Sequence, residues 1–276
     1  MANTTTITHL HNQIDAVATS SAKNSDFLRE SQQLEVANHY DQVWLENPGE
    51  SWDTWPFFRL PGSALGYALT AMGNLQGQSV LDLGCGIGYT PLELAKRGAD
   101  VIAIDLSATA VQETRVRAAS AGLSQQVRAV RANVEQLPFP DASFDLIYAQ
   151  NFLMHVSHQA VGRECRRLLR PGGKMVVVEP LAHHPLVRLY RRFFSEYKDT
   201  HPRYSTHEDM ATLASLFNHA HERRFYLLAA LATLGQNNTT FLKARLVILN
   251  WLDQKLLKMW PGLQEWCWVT VIELYK

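Results

Sequence analysis

"VLDLGCGIGYT", residues 80–90, decides the fold, because an apolar run with one acid leads directly into three glycines. A glycine-rich turn between a strand and a helix lets backbone amides approach a ligand closely, and the helix N-terminus adds a positive dipole. The dinucleotide-binding fingerprint requires the spacing G-x-G-x-x-G. Here Gly84, Gly86 and Gly88 give G-x-G-x-G, and Tyr89 stands where the third glycine would be. The stretch therefore indicates a nucleotide site that does not match the pyrophosphate-binding pattern.

A carboxylate stands at the end of the next predicted strand. Asp105, in "DVIAIDLS", comes 17 residues after Gly88. In doubly wound nucleotide folds a carboxylate at this place accepts hydrogen bonds from ribose hydroxyls. Asn133 ends the third predicted strand, so a nucleoside laid across the strand ends would put its base near Asn133 and Val134. These positions together predict a site for a nucleoside.

Short apolar or β-branched runs alternate with helical stretches through the middle of the chain. Strands are predicted at 79–83, 100–104, 127–132, 144–149 and 174–179, and helices at 64–75, 89–97, 107–121 and 157–170. Such alternation implies βαβ units and a parallel sheet that is covered on both faces. We therefore predict an α/β fold with a doubly wound, mostly parallel sheet.

The two ends of the chain follow other patterns. Residues 1–25 are polar and are expected to be mobile, whereas 27–46 predict a helix that is followed by an aromatic loop. After residue 180, a helix is predicted at about 206–219 and an amphipathic helix at 240–259, with a last strand in the tail "CWVTVIELYK". Periodicity does not decide between strand and helix for 222–232.

Charge and cysteine content limit the partners. Lys+Arg and Asp+Glu are both 26, and no run of five basic residues occurs, so nothing indicates a nucleic-acid partner. Cys85, Cys165 and Cys267 lie far apart without metal-ligand spacing, which suits free thiols in a reducing compartment. No signal-peptide pattern and no apolar run of ~18 residues is found. We expect a cytoplasmic protein without a transmembrane helix.

Four stretches carry a family resemblance: "VLDLGCGIGYT", "AIDLS", "ANVEQLPFPDASFDLIYA" and "LLRPGGKMVVVEP". Their order and gaps resemble the motifs of class I S-adenosylmethionine-dependent methyltransferases, closest to the ubiquinone/menaquinone-type and small-molecule branch. The resemblance covers residues 64–180, the expected cofactor-binding core. It implies a Rossmann-like sheet of seven strands with an antiparallel last strand. Residues 1–63 would then form an N-terminal segment and cap, and 181–276 a substrate cap with a helical insertion and the last strands.

The same resemblance implies S-adenosylmethionine as the cofactor and S-adenosyl-L-homocysteine as the product. It also assigns the cofactor-binding residues. The loop Gly84–Cys85–Gly86, with Gly88, would hold the methionine end, and Asp82 would orient its amino group. Asp105 would bind the ribose and Leu106 would contact the adenine. Asn133 and Val134 would read the adenine edge, with asparagine where the family usually has aspartate. Gln150 would lie beside the sulfonium.

Methyl transfer from a sulfonium needs alignment of nucleophile, methyl and sulfur, and a base where the nucleophile must lose a proton. His155, in "NFLMHV", is a candidate base, or else a packing residue of the wall beside the cofactor. His184, which like His183 directly follows the fifth predicted strand, is a candidate base or substrate contact, or else part of a solvated loop. Tyr40 resembles the tyrosine of a helix that closes over the cofactor in this branch, or else packs that helix against the sheet. The histidines match no metal-ligand motif.

The methyl acceptor is expected to be a small, rather apolar organic molecule, with O- or C-methylation favoured. The aromatic loop would line its pocket or anchor the chain, through Trp52, Trp55, Phe57 and Phe58. The helix at 240–259 would act as a lid or membrane-surface contact, or else as a cap or dimer face. Two alternatives are a quinone or isoprenoid C-methyltransferase at the membrane surface and a non-catalytic cofactor-binding partner. Either a monomer or a homodimer is compatible with the sequence.

Overall fold

The computed structural model describes residues 33–46, 62–194, 203–233 and 239–276. The strands in this part of the chain are β1 (Ser79–Leu83), β2 (Asp100–Asp105), β3 (Val127–Arg131), β4 (Phe144–Gln150), β5 (Leu169–Pro180), β6 (His219–Phe225) and β7 (Val269–Tyr275). They form one sheet in the order β3-β2-β1-β4-β5-β7-β6. The first five are parallel, whereas β7 runs antiparallel to both β5 and β6. The predicted doubly wound fold with an antiparallel last strand is confirmed.

Helices connect these strands. They are α1 (residues 33–46), α2 (Ala64–Ala71), α3 (Tyr89–Lys96), α4 (Ala108–Ser120), α5 (His158–Leu168), α6 (Pro185–Phe194), α7 (His207–Ala214) and α8 (Thr239–Met259). Side-chain caps fix several starts: Ser107 accepts from the Ala110 amide before α4, and Ser157 does the same for Ala160 before α5. The insertion that separates β6 from β7 is α8, as expected.

Both faces of the sheet carry an apolar core, because neighbouring residues of the central strands point to opposite sides. Val80 and Val176 belong to one buried cluster, together with Tyr148 and the residues of α2. Leu81 and Val177 belong to the other cluster, which includes Leu153 of the turn after β4. The C-terminal ends of β1, β2 and β4 are therefore held rigidly, and these ends position the candidate site.

The C-terminal part corrects one expectation. The helix predicted at 206–219 ends at Ala214, and His219 begins β6. β6 is an edge strand whose first five residues are exposed and, apart from Ala220, polar, so it lacks the apolar alternation that marks a half-buried strand. The segment is a strand because its backbone pairs with β7. A 3-10 turn at Ala229–Thr233 follows, which resolves the segment that periodicity left open.

Candidate active site

The glycine loop that follows β1 is held against the end of β2. The Gly84 and Cys85 amides both donate to the Ile104 carbonyl, at 2.8 and 3.0 Å. Gly84, Gly86 and Gly88 have φ of +68°, +50° and +90°, in the region that favours glycine. A Cβ at Gly84 would lie 2.8 Å from the Phe152 ring. The loop is therefore a close-fitting cradle in which added side-chain atoms have little room.

Asp105 joins this cradle to the end of β2. Its Oδ2 accepts from the Gly86 amide and its Oδ1 from the Ser107 amide, both at 2.9 Å. Burial raises the pKa of Asp105 above its ordinary value, although these hydrogen bonds act against the rise. One hydrogen bond thus joins the glycine loop to the carboxylate at the end of β2, 19 residues later in the sequence. The carboxyl group therefore lies directly beside the glycine loop.

The other expected cofactor residues lie at the neighbouring strand ends. Asp82 is buried within β1, at 2% exposure, and Val134 packs its side chain in the core. Asn133 Oδ1 accepts from the Glu135 amide at 3.0 Å, and its amide donates to Gln33 at 3.1 Å. Because this side chain already has two partners, an adenine at this position would have to share or displace them.

Leu106 and Gln150 lie on either side of this row of strand ends. The Leu106 carbonyl accepts from Arg131 Nε at 2.8 Å, which fixes the backbone directly after Asp105. Gln150 ends β4, and its Oε1 accepts from the Tyr148 hydroxyl at 2.6 Å. Both residues therefore have fixed positions at the edge where the cofactor is expected.

Cys85 lies inside the loop but is not placed for chemistry of its own. Its side chain is buried, with Sγ 3.6 Å from the Gly86 carbonyl and 3.9 Å from Thr114 Oγ1. Burial raises the pKa of the Cys85 thiol well above its ordinary value, so the thiol stays protonated and packs as a small apolar group. Its backbone amide, bonded to Ile104, is what shapes the loop.

Helix α1 lies across the glycine loop and reaches the turn after β4. The Tyr40 hydroxyl is 3.0 Å from His155 Nε2, and the Tyr40 ring stacks on Trp44 with centroids 6.1 Å apart. Trp44 Cζ2 lies 3.4 Å from where a Cβ at Gly86 would be. Tyr40 and Trp44 therefore form an aromatic cover over the loop, and two of the proposed catalytic residues, Tyr40 and His155, are brought together.

Asp41 attaches this helix to the core. Its Oδ1 accepts from Ser107 Oγ at 2.5 Å and from the Thr109 amide at 2.9 Å. Burial acts to raise the pKa of Asp41, but the hydrogen bonds from Ser107 and Thr109 hold it below its ordinary value. The carboxylate thus stays ionised and caps the start of α4 from outside the helix.

We expect Asp41→Ala to lower the free energy of opening of α1 by about 1–2 kcal/mol, because the substitution removes a charged acceptor of two hydrogen bonds. Hydrogen exchange of the 33–46 amides should become faster, whereas exchange in β1 and β4 should not change. Glu35→Ala is the matched control, since Glu35 is an exposed carboxylate of the same helix. Equal exchange rates in the two variants would contradict this role of Asp41.

His155 is held in the uncharged form. It ends a 3-10 turn, Leu153–His155, and burial lowers its pKa to about 4, with the nearby charge of His39 acting in the same direction. The imidazole is therefore neutral at pH 7 and can accept a proton or a hydrogen bond. Such a low pKa also makes it a weak base, so His155 suits orientation of Tyr40 as well as proton acceptance.

Glu179, which the sequence patterns did not single out, fixes that turn. Its side chain is fully buried near the end of β5, and Oε2 accepts from the Phe152 and Leu153 amides at 3.2 Å each. Burial raises the pKa of Glu179 to about 8. The available signal was an acid after three valines in "VVVEP", because a buried strand seldom ends in an unpartnered carboxyl group.

The pKa of Glu179 leads to a stability prediction. Its ordinary pKa is 4.5, so the folded chain binds one more proton than the unfolded chain between pH 4.5 and about 8, and stability falls as pH rises through that window. Glu179→Gln keeps the hydrogen-bond acceptor without the charge. We expect it to be more stable than the parent by about 4 kcal/mol at about pH 8.5 and nearly equal at about pH 5.

Urea titrations at the two pH values measure this difference. Glu93→Gln is the control, because Glu93 is a partly exposed carboxylate in a helix-surface ion pair with Arg97. Parallel stability curves for Glu179→Gln and the parent chain would show that Glu179 is not a buried proton-binding group.

His184 is the one proposed catalytic residue that the structure sets apart. It is 2% exposed, its Nε2 lies 2.9 Å from the Leu227 carbonyl, and its Nδ1 accepts from the Val187 amide at the start of α6. With both ring nitrogens engaged by backbone, the residue connects α6 to the segment after β6. This arrangement favours a structural role, so we assign His184 no part in catalysis. His183 instead stacks on His207, with centroids 4.6 Å apart.

Some expected contributors lie outside the described residues. These are residues 1–25, which were expected to be mobile, and the residues of the predicted aromatic loop, Trp52, Trp55, Phe57 and Phe58. In α8, which is described from Thr239, Leu246 is buried, whereas Val247, Ile248 and Trp251 are more than half exposed. Asp253 ties this helix to the core by accepting from the Leu227, Leu228 and Ala229 amides.

Comparison with known proteins identifies the domain family of the central part of the chain. Residues 81–177 match the family model described as a methyltransferase domain. A sterol 24-C-methyltransferase of Gibberella zeae is 36% identical over 115 residues, which are 41% of this chain and 30% of that protein. A ubiquinone biosynthesis O-methyltransferase of Alkalilimnicola ehrlichii is 34% identical over 135 residues, 48% of this chain and 53% of that protein.

Solved structures agree on the fold. The crystal structure of the [4+2]-cyclase SpnF superposes with a TM-score of 0.59 at 20% identity, covering 87% of this chain and 94% of that one. The chain spans only 30% to 53% of the length of the sterol and ubiquinone methyltransferases, so the likeness lies in the core. Residues 81–177, which include the glycine loop and Asp105, thus form a class I S-adenosylmethionine-dependent methyltransferase domain.

Proposed function

We propose that the protein transfers a methyl group from S-adenosylmethionine to a small organic acceptor. The observation that carries the proposal is the Asp105 carboxyl group, bonded to Gly86 of a loop whose three glycines have positive φ. The carboxyl group can accept hydrogen bonds from ribose hydroxyls. It lies beside a loop in which added side-chain atoms have little room, so a ligand can approach the loop backbone closely. The matched methyltransferase family model supports the same cofactor.

Each residue at this edge has a distinct part in holding the cofactor. Asp105 would accept from the ribose hydroxyls, and the loop would lie along the methionine portion, with Asp82 near its amino group. Leu106, Asn133 and Val134 would enclose the adenine, with the Val134 backbone rather than its buried side chain facing the ring. Gln150 would lie at the sulfur end. The bound cofactor would supply an electrophilic methyl group on a sulfonium.

The chain's own contribution to transfer would be alignment, exclusion of water and control of one proton. The aromatic cover of Tyr40 and Trp44 would exclude water from the loop, and an aromatic face stabilises a nearby cation. Neutral His155 would orient the Tyr40 hydroxyl or accept the proton that an acceptor hydroxyl loses. Glu179 fixes the turn that carries His155. Alignment in favourable systems accounts for about 7–11 kcal/mol of the barrier.

We infer that the acceptor has a substantial apolar part and is methylated on oxygen or carbon. The relatives include a sterol C-methyltransferase and a ubiquinone-pathway O-methyltransferase, which supports both attacking atoms. A balanced formal charge, 26 basic against 26 acidic residues, argues against a nucleic-acid substrate. A cytoplasmic location and a monomer or homodimer remain our expectation.

A membrane-surface variant of this function has one specific observation in its favour. Val247, Ile248 and Trp251 of α8 are exposed at 61%, 58% and 57%, and Lys255 and Lys258 follow on the same helix. Such a face suits contact with a lipid surface. None of the described helices is long and apolar enough to cross a bilayer.

The test is an acceptor screen that measures formation of S-adenosylhomocysteine, with phenols, hydroquinones and isoprenoid quinones in parallel. Turnover with one of these classes, and its loss in Asp105→Ala, is the expected result. Tight binding of S-adenosylmethionine without turnover on any class would instead favour the non-catalytic alternative. Vesicle-dependent turnover would favour the membrane-surface variant.

A further inference from the structure

A cavity of about 480 Å³ lies next to the end of β5, apart from the glycine loop. Its lining residues come from the segment after β5, from α6 and from the segment before α7: Ala182, His183, Arg188, Arg191, Arg192 and Tyr204. Of the lining residues that the structure describes, three are arginines and none is acidic. The cavity therefore presents concentrated positive charge to whatever enters it.

Arg191 is fixed in place before any ligand arrives. Its Nη1 donates to the Leu181 carbonyl at 2.9 Å, and its guanidinium lies 3.4 Å above the centre of the Tyr204 ring. Burial lowers the pKa of Arg191 to about 10, which leaves the group charged at neutral pH. A guanidinium held on two sides loses little conformational freedom when it binds a ligand.

Arg188 and Arg192 add charge on the same helix face. They are exposed and one turn apart, and within the described part of the chain neither guanidinium has an ion pair or a hydrogen bond to a carboxylate. Like charges this close on a helix repel one another. Glu179 is the acid that acts on Arg191, and its raised pKa keeps much of it uncharged at neutral pH. An anion in the cavity would relieve the repulsion.

The cavity shares a wall with the His155 turn. The segment that carries Tyr204 donates from the Arg203 amide to the Met154 carbonyl at 3.2 Å. On its other side, the Ala182 amide donates to the Ser205 carbonyl at 3.0 Å. The arginine cavity is therefore adjacent to the turn that carries His155, and His155 in turn contacts Tyr40.

We propose that this cavity binds a phosphate or diphosphate group of the methyl acceptor. The inference rests on the proposed function and names the acceptor class as an amphiphile with an apolar part and a multiply charged end. Guanidinium groups match phosphate oxygens with paired hydrogen bonds. Three guanidinium groups around one cavity carry more positive charge than a ligand with a single carboxylate would neutralise. A multiply charged phosphate is therefore favoured over a carboxylate.

Pyrophosphate is the probe, titrated calorimetrically into the parent chain and into the double variant Arg188→Gln/Arg192→Gln. Both side chains are exposed, so the variant keeps its fold. We expect the affinity for pyrophosphate to fall by about tenfold or more, with the affinity for S-adenosylhomocysteine unchanged. The control, Arg128→Gln/Arg163→Gln, removes the same charge from exposed positions elsewhere and should bind pyrophosphate like the parent chain.

Absence of pyrophosphate binding, or an equal loss in the control, would overturn the inference. So would binding to phosphatidylglycerol vesicles that requires Arg188 and Arg192 while free pyrophosphate does not bind, because the anion would then be a lipid headgroup. If S-adenosylhomocysteine fails to bind the parent chain, the proposed function fails instead, whatever the result with pyrophosphate.

Discussion

Asp105→Ala is expected to weaken the binding of S-adenosylhomocysteine by about 100-fold or more. Hydrogen bonds to a charged acceptor contribute about 1.5–3 kcal/mol each, and this carboxylate would accept from two ribose hydroxyls. The same substitution removes the acceptor for the Gly86 and Ser107 amides, so the loop loses its connection to the end of β2. Both effects act in the same direction, and calorimetric titration measures their sum.

Two further variants separate ribose binding from loop support. Asp105→Asn keeps one acceptor oxygen for a backbone amide but lacks the charge, so its affinity should lie between those of Asp105→Ala and the parent chain. Asp100→Ala removes an exposed carboxylate from the other end of the same strand and should bind like the parent. Unchanged affinity in Asp105→Ala would remove this residue from the cofactor site.

Gly88→Ala is expected to lower the free energy of unfolding by about 2–5 kcal/mol. Gly88 has φ of +90°, where an L-residue costs about 1–2 kcal/mol. The added Cβ would also lie 2.8 Å from Thr114 Oγ1 and 3.0 Å from Thr114 Cα, inside contact distance of a fully buried residue of α4. Overpacking of this kind costs about 1–3 kcal/mol. Urea titration measures the sum.

Gly122→Ala separates strain from crowding. Gly122 also has a positive φ, +70°, but a Cβ there meets nothing within 4 Å. It should therefore lose only the conformational part, about 1–2 kcal/mol. Equal destabilisation in the two variants would mean that α4 moves away from the loop at little cost, and the glycine loop would then not be a tight cradle.

Most of the fold could be predicted from sequence, because the central strands are short apolar runs separated by glycine-stopped helices. β1, β2 and β4 were placed within one residue of their observed ends. The same local signals failed for β6, whose exposed residues carry no periodic pattern and whose strand form depends on pairing with β7. Local sequence patterns reveal buried strands, but they miss an exposed strand whose conformation depends on pairing with a neighbouring strand.

The candidate site divides in the same way. The glycine loop and Asp105 are close in sequence and carry a motif, so their meeting was expected. Tyr40 and His155 are 115 residues apart, and only the packing of α1 shows that they touch. Position along the chain does not reveal whether a side chain such as Glu179 or His184 is buried, or what it bonds to. The burial of Glu179 against the turn and the two backbone partners of His184 required coordinates.

Fold likeness alone leaves the reaction open, since a cyclase superposes on 87% of this chain. The assignment therefore depends on the cofactor site. Calorimetric titration of the parent chain with S-adenosylmethionine and S-adenosylhomocysteine, with NADH in parallel, tests that site most directly. We predict one site per chain, micromolar affinity for both sulfur nucleosides and none for NADH. Binding of NADH, or of neither sulfur nucleoside, would contradict the assignment.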